Sequence, residues 1–575
     1  MKNIIKIFCI AISLILFNCK DDKPIVEELD EVETPNNGNG NEEPGDNQSK
    51  ITLVNGDALT QILRANQITA ESVIFVTTAP WSSRITEGAD WITFSPTWSS
   101  GTGESAVSIS AKMNLTGSDR TAVFTIRSGG EEVDITIEQK AGAITEASFR
   151  EKEYRAYQHP GVQAAQNRTW AYSLRDNPTG IYARADEDLA VFVDDAHGKE
   201  ISIVIHDIPS SPVPWGFGVM TLYPLSQGLN RIKAEHSGLI YVWYEDPLEE
   251  AAPKIKVNFV EGGLVNGYFD SQKHARDDWQ GLLDYASGPE FDLVGKFAHL
   301  TMPVSAFKSW TPDGLALIDK YDDLVRLQHE FMGLYREEYK YRQYKNRVYF
   351  HADYYGSGAY ATAYRTAYML EWMQAILQLP IDGGTWALAH EVGHVNQIRP
   401  GLAWTNMGEV TVNIYSMYVQ RSWGLSSSLG MSPNESAYQR GFANVLNKGV
   451  PHVQANDVFV MLIPFWQLYL YLHEVLGKTH FWQDLNYSYM ANHPTETTDN
   501  GSYQLTFVRR CCDIAQLNLL DFFEAWGFLL PVSISGFNIT QADVNALKTE
   551  IEAKGYPKPP RDFTMITCGT VDEFR

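Results

Sequence analysis

The sequence predicts a multidomain α+β protein in which two β-sandwiches precede a mainly helical region. Its 575 residues exceed the size of one typical hydrophobic core, so several domains are expected. Short apolar or alternating runs between turn residues occupy the chain from about residue 51 to 265, as in β-sandwiches. After about residue 270, apolar residues recur every three or four positions, which indicates helices.

The overall charge excludes one class of partner. The chain has 46 Lys and Arg against 70 Asp and Glu, which gives a net charge of −24. Nucleic-acid phosphates bind stripes of Lys and Arg, so we expect no nucleic-acid partner. Such acidity fits a solvated, exported protein but identifies no substrate.

The first residues predict export and a lipid anchor. Two lysines precede a short apolar run that ends at Cys19, which predicts a lipoprotein signal over residues 1–19. The run is too short for a membrane-spanning helix. Asn18 occupies a position where the strict lipobox has a small residue, so a plainly cleaved secretory peptide remains the alternative. The acidic residues after Cys19 resemble the export signal of Bacteroidetes surface lipoproteins.

These features predict a location on the outer membrane at the cell surface, with the anchor at Cys19. Residues 20–50 contain almost no apolar side chains and many Glu, Asp, Asn and Gly residues. We therefore expect a disordered acidic linker over this stretch.

Two β-sandwiches are expected next, over residues 51–142 and 150–265. The first contains Trp81 and Trp91, which we assign to the sandwich core rather than to a sugar-binding surface, since such cores commonly hold aromatic residues. Together with the SSGTG loop, Asn114, Arg120 and Gln139, these residues resemble the BACON domain, an immunoglobulin-like module of glycan-active surface proteins.

The remaining chain, residues 266–575, is predicted to be a mainly helical domain. Helices are expected over 315–335, 370–377, 385–398 and 407–421. The stretch from Val458 to Leu472 is almost wholly apolar, yet it is short and contains polar Gln467, so we interpret it as a buried helix.

The segment His390-Glu391-Val392-Gly393-His394 is the strongest chemical signal in the sequence. Residues four apart on a helix share one face, so both imidazoles can bind one metal ion. A catalytic zinc ion needs a third protein ligand and a position for water. Glu391 would then accept the proton of the attacking water. Thr385 is expected to cap this helix and Pro400 to limit its far end.

A third ligand is available shortly downstream, where Glu409 opens the next helix. A short reversal between the two helices would bring Glu409 against the histidines and complete a His₂Glu set. An isolated Glu in a first helical turn is otherwise explained by the helix dipole. Asn413 and Gln397 are expected to orient the ligands through hydrogen bonds.

HEVGHVNQ followed by GEVTVNIYS resembles the signature of the enhancin-like, or M60-like, metallopeptidases. Further matches at Asn177–Tyr182, Gly228–Asn230, Gly238–Tyr241 and Phe522–Gly527 extend the resemblance from about residue 150 to 560. It implies a gluzincin-like metallopeptidase domain with Zn²⁺ on His390, His394 and Glu409, and Glu391 as the catalytic residue. It also implies cleavage of O-glycosylated, mucin-type proteins.

Two alternatives stay open at this point: a metallopeptidase of non-glycosylated proteins, and a non-catalytic glycan-binding surface lipoprotein. We expect a monomer. Tyr415, Tyr418 and His452 are candidates for a second oxyanion donor, although packing explains each of them more simply. Cys511, Cys512 and Cys568 do not have a metal-binding spacing.

Overall fold

A computed structural model describes residues 51–210, 216–356, 358–430 and 435–575. The predicted signal and linker, residues 1–50, lie outside the described residues. The described chain contains two β-rich parts followed by a largely helical part, which confirms the predicted fold class.

The first part is a sandwich of two sheets, with strand orders β1-β3-β7-β5 and β2-β9-β8-β4-β6. Phe75 of one sheet and Phe124 of the other belong to one apolar core. Trp81 and Trp91 lie in this core with exposed fractions of 3% and 5%, which confirms their structural interpretation. The strands are β1 (Ile51–Leu53), β2 (Thr60–Leu63), β3 (Val73–Thr77), β4 (Trp81–Glu87), β5 (Ile92–Ser95), β6 (Trp98–Ser99), β7 (Gly103–Ala111), β8 (Arg120–Ser128) and β9 (Glu131–Gln139).

The second part also has two sheets, of strand orders β10-β17-β12-β15 and β14-β13-β16-β11-β18. Val191 and Val257 of the first sheet share a core with Ile203 and Ile240 of the second. The elements are α1 (Glu146–Arg150), β10 (Glu151–Tyr154), α2 (Pro160–Asn167), β11 (Pro178–Ala183), β12 (Asp188–Val193), β13 (Ile201–Asp207), β14 (Val219–Leu225), β15 (Gly228–Lys233), β16 (Gly238–Trp243), β17 (Ile255–Glu261) and β18 (Leu264–Val265).

A mixed six-stranded sheet of order β19-β20-β21-β22-β24-β23 begins the third part, and the sequence did not predict it. Its central strands are buried on both faces, so they lack the alternation that marks a half-buried strand. The elements are β19 (Phe269–Asp270), α3 (Asp278–Tyr285), β20 (Glu290–Val294), β21 (Ala298–Pro303), α4 (Val304–Trp310), α5 (Gly314–Phe331), β22 (Val348–Asp353), β23 (Ala359–Thr362), β24 (Arg365–Met369) and α6 (Met373–Leu377).

Helices dominate the rest of the chain, as predicted. They are α7 (Thr385–Asn396), α8 (Gly408–Ser422), α9 (Ala437–Asn444), α10 (Val458–Leu468), α11 (Phe481–Ala491), α12 (Gly501–Ala515), α13 (Leu520–Ala525) and α14 (Gln541–Ala553), with a small hairpin of β25 (Val532–Ile534) and β26 (Phe537–Ile539).

The apolar helix around α10 is a core element. It continues as a π-helix over Tyr469–Val475. Among the described helices, Val458–Val475 alone is long and apolar enough to cross a membrane, and 72% of it is buried inside the protein. Gln467 lies in the core because its amide donates to two backbone carbonyls and accepts from Trp526. This burial confirms the interpretation as a buried helix.

The first sandwich packs directly on the helical part. Met113 and Leu115, which follow β7, belong to the same core as Trp279 and Leu282 of α3. Next to them, the amide of Asn66 donates to a carboxylate oxygen of α3 at 2.8 Å. Because the two parts share buried apolar side chains, the sandwich is held in one orientation on α3.

Candidate metal centre

The helices α7 and α8 carry the predicted metal ligands and pack closely at Gly393. A Cβ atom at Gly393 would lie 2.8 Å from Cγ2 and 2.9 Å from the carbonyl oxygen of Val412. Glycine therefore sets the closeness of the two helices. Thr385 does not cap α7, because its hydroxyl donates to the carbonyl of Ile381 and the N-cap residue is Gly384.

The structure brings His390, His394 and Glu409 together. Oε2 of Glu409 lies 3.2 Å from Nε2 of His390 and 3.3 Å from Nε2 of His394. One ligand atom from each residue falls within 4.8 Å of the others, and this is the one such group of potential metal ligands among the described residues. Tetrahedral zinc bonds of about 2.0–2.1 Å place neighbouring ligand atoms about 3.3 Å apart, so the spacing fits this ion.

Asn413 orients the first ligand. Its Oδ1 lies 2.6 Å from Nδ1 of His390, and its amide donates to the backbone carbonyl of Glu409 at 2.8 Å. An Asn oxygen accepts a hydrogen bond, so Nδ1 of His390 carries the proton and Nε2 keeps its lone pair for a metal. This contact agrees with the expectation that Asn413 orients a metal ligand.

Gln397 acts on the helix that bears Glu409 rather than on a ligand side chain. Its amide donates to the carbonyl of Gly408 at 2.9 Å and to the hydroxyl of Thr411 at 2.7 Å. Arg399 in turn donates to the side-chain oxygen of Gln397. This chain of hydrogen bonds ties the end of α7 to the beginning of α8.

Trp170 and Arg399 border the second histidine, and the sequence reasoning did not select either residue. The ring of Trp170 is stacked near His394, with centroids 6.2 Å apart. The guanidinium of Arg399 lies 4.0 Å from the Trp170 ring centroid and donates to the carbonyl of His394. No spacing rule links residue 170 to the motif, so only the fold could reveal this contact.

The charges of the site favour proton retention on His390 in the metal-free protein. Burial alone would lower the pKa of His390, but its hydrogen bond with Glu409 and the charge of Glu391 outweigh burial and raise that pKa to about 9. Burial would likewise raise the pKa of Glu409, yet hydrogen bonds with the two imidazoles hold it well below its usual range.

Glu391 faces the same site without being a ligand. Its exposed fraction is 5%, and its Oε2 has no hydrogen-bond partner among the described residues. Burial raises the pKa of Glu391, while the neighbouring imidazoles of His390 and His394 partly offset that rise. Such a buried carboxylate with a free oxygen is suited to accept a proton.

The three candidates for an oxyanion donor are engaged in other contacts. Tyr415 is buried and donates to the carbonyl of Asn396, and His452 is buried with Nε2 against the carbonyl of Met461. Tyr418 packs on Phe331. Their contacts agree with the simpler packing interpretation. Tyr368 of β24, by contrast, is buried near Glu391, and both burial and the charge of Glu391 raise the pKa of its hydroxyl.

Family models match both the region that carries the candidate site and the first sandwich. Residues 262–527 match the family model of peptidase M60, enhancin and enhancin-like proteins. This part of the chain is similar to the peptidase M60 family. Residues 81–140 match the BACON model, an N-terminal binding-domain family. Both resemblances noted from the sequence are thereby confirmed, and the similarity to M60 metallopeptidases implies a metal cofactor.

Solved M60-type structures have the same fold. A metallopeptidase in complex with Tn antigen is 26% identical, with a TM-score of 0.66, and the match covers 73% of this chain and 80% of that one. A metallopeptidase from Bacteroides thetaiotaomicron is 27% identical, with a TM-score of 0.64 and 73% of each chain covered.

Curated proteins similar to this chain include animal proteins. TRPM8 channel-associated factor 3 of Rattus norvegicus is 24% identical over 319 residues, which is 54% of this chain and 33% of the relative. TRPM8 channel-associated factor 2 of Homo sapiens is 26% identical over 289 residues, covering 48% and 29%. The chain thus spans about a third of the length of these relatives.

Proposed function

We propose that the protein is a zinc-dependent endopeptidase that cleaves O-glycosylated, mucin-type proteins, with His390, His394 and Glu409 as metal ligands. The observation that carries this proposal is the convergence of two imidazole nitrogens and one carboxylate oxygen beside the buried Glu391. A His₂Glu set that leaves one position for water is the ligand arrangement of catalytic rather than structural zinc.

Zinc, when bound, would lower the pKa of water and polarise the scissile carbonyl. Glu391 takes the proton of the attacking water on Oε2. This atom has no hydrogen-bond partner among the described residues. Glu391 then passes this proton to the leaving amine. Asn413 keeps the proton of His390 on Nδ1, and Gln397 holds the start of α8 so that Glu409 stays aimed at the histidines.

The sheet next to α7 offers a place for an extended substrate. Strand β23 ends the six-stranded sheet and pairs with β24 on one side, while α7 packs against it. An exposed edge strand can add a peptide as a further strand through backbone hydrogen bonds. A substrate bound there would lie beside the helix that carries His390, Glu391 and His394.

The proposal that the substrate is glycosylated rests on a similar solved structure and not on a pocket in this chain. The metallopeptidase of 26% identity is in complex with Tn antigen, and residues 81–140 match a binding-domain family. The sequence alone supports the remaining part of the proposal, in which the enzyme is a monomeric lipoprotein anchored through Cys19 at the cell surface.

Mass spectrometry of fragments from a defined O-glycoprotein tests this proposal. We expect the wild-type protein to cleave it, a chelator to stop cleavage, and Glu391→Gln to retain the metal but lose cleavage by at least about a hundredfold. Glu330→Gln is a matched control because Glu330 also follows a histidine but lies on α5, where it pairs with Arg326. Equal cleavage by the wild type and Glu391→Gln would refute the proposal.

Removing the O-glycans from the same substrate separates the two peptidase hypotheses. Loss of cleavage after deglycosylation supports a glycopeptidase, whereas unchanged cleavage supports a peptidase of ordinary proteins. Glycan binding without bound zinc and without cleavage would favour the non-catalytic alternative.

A further inference from the structure

A polar cavity of about 290 Å³ lies between the second sandwich and the start of the six-stranded sheet. It contains none of the proposed metal ligands. Five basic side chains line it, against three acidic ones. The basic residues are Lys152, Arg155, Lys254, Lys273 and Arg347, and the acidic residues are Glu153, Asp176 and Asp270. This basic excess stands out in a protein whose net charge is −24.

Two lysine side chains meet at one tyrosine in this cavity. Nζ of Lys152 lies 3.4 Å and Nζ of Lys273 lies 3.5 Å from the hydroxyl of Tyr268. Lys152 also donates to the carbonyls of Pro178 and Thr179. No carboxylate in the described ranges forms an ion pair with Lys152. Burial and the charge of Lys273 lower the pKa of Lys152, so a negative group bound between the two amines would favour the charged form of Lys152.

The acidic residues of the cavity are already engaged. Asp176 accepts from the backbone and guanidinium of Arg347 and from Asn346. Asp270 pairs with Lys273 at 2.9 Å and accepts from the backbone of Gln272. Among the described residues, Asp176 and Asp270 pair with Arg347 and Lys273, and neither forms an ion pair with Lys152.

Arg347 supplies a further donor in a buried position. Its exposed fraction is 8%. Nε donates to the carbonyl of Gly295, and Nη1 contacts Tyr157 and Asp176. Within the described ranges nothing accepts a hydrogen bond from Nη2. An arginine fork with one side free is the usual partner of a carboxylate, sulfate or phosphate.

We propose that this cavity binds a small oxyanion, namely a carboxylate, sulfate or phosphate, either free or on a group of monosaccharide size. Lys152, Lys273 and Nη2 of Arg347 provide its donors. The volume lies near the lower end of ligand pockets, about 300 Å³, which limits the occupant to one such group. The inference does not depend on the proposed peptidase activity.

Isothermal titration of the full-length protein tests this site at constant ionic strength. The probes are inorganic sulfate, inorganic phosphate, glucuronate and, as the neutral match of glucuronate, glucose. We expect saturable binding of at least one oxyanion and none of glucose. Tighter binding of glucuronate than of the inorganic ions assigns the site to an acidic sugar, and the reverse order assigns it to a free ion.

Variants locate the binding. Lys273→Gln should weaken the best probe about tenfold, as expected for one charge-assisted hydrogen bond. Arg347→Lys should also weaken it, because the charge stays but the fork is lost. Lys256→Gln, on the adjoining β17 but outside the cavity, should keep wild-type affinity. Absence of saturable binding by the wild type, or unchanged affinity in both cavity variants, would overturn the proposal.

Discussion

Nδ1 of His390 lies 2.6 Å from Oδ1 of Asn413, and the amide of Asn413 donates to the backbone carbonyl of Glu409. One side chain of α8 thus fixes the ring of a ligand on α7 and, at the same time, contacts the residue that supplies the third ligand. The geometry of the centre depends on this single asparagine as well as on the three ligands.

We therefore expect Asn413→Ala to weaken zinc binding about 10- to 100-fold, because the His390 ring loses the partner that fixes its proton and orientation. Asn413→Asp should retain most of the affinity, since a carboxylate also accepts from Nδ1. Competition with a chromophoric chelator measures both affinities. Asn545→Ala on the surface of α14 serves as the control and should bind zinc like the wild type. Wild-type affinity in Asn413→Ala would contradict this role.

The glycine between the two histidines gives a second prediction. A methyl group at Gly393 meets both the side chain and the backbone of Val412, so Gly393→Ala should separate α7 from α8. We expect a loss of stability of about 1–3 kcal/mol and weaker zinc binding.

Gly408 provides the matched control because a Cβ atom there has no neighbour within 4 Å. Gly408→Ala at the first residue of α8 should be neutral or slightly stabilising. Thermal unfolding and chelator competition measure the two properties. If both alanine variants behave alike, close helix packing at Gly393 is not what holds the ligands together.

The affinity for zinc should depend on pH. The pKa of His390 is raised to about 9 in the metal-free protein, so below this pH a proton must leave before the imidazole binds metal. Affinity should rise about tenfold per pH unit from pH 6 to about 9 and then level off. Calorimetry in buffers of different ionisation enthalpy should detect close to one released proton at pH 7. A flat pH profile would show that His390 is already neutral.

Packing between the BACON-like sandwich and α3 leads to a fourth prediction. Met113 is 2% exposed and shares a core with Trp279, so Met113→Ala should cost about 2–5 kcal/mol of stability. Met565 is 52% exposed, and Met565→Ala should change stability by no more than about 0.5 kcal/mol. Chemical unfolding followed by tryptophan fluorescence compares them. Equal small effects would indicate a sandwich that is only loosely attached.

The sequence predicted the site better than the sheet that supports it. The grouping of His390, His394 and Glu409 could be predicted because helical periodicity places the two histidines on one face. A short connection then brings the next helix, with Glu409, back against them. The six-stranded sheet was missed because β20, β21 and β22 are buried on both faces and show no alternation. Trp170 was missed for another reason: its contact with His394 depends on long-range packing, which local patterns do not encode.

The shared core of Met113, Leu115 and α3 also determines how this molecule would respond to a pull. A force applied at Ile51 would reach α3 through these packed side chains and the hydrogen bond of Asn66. The sandwich and α3 would then move together under such a force.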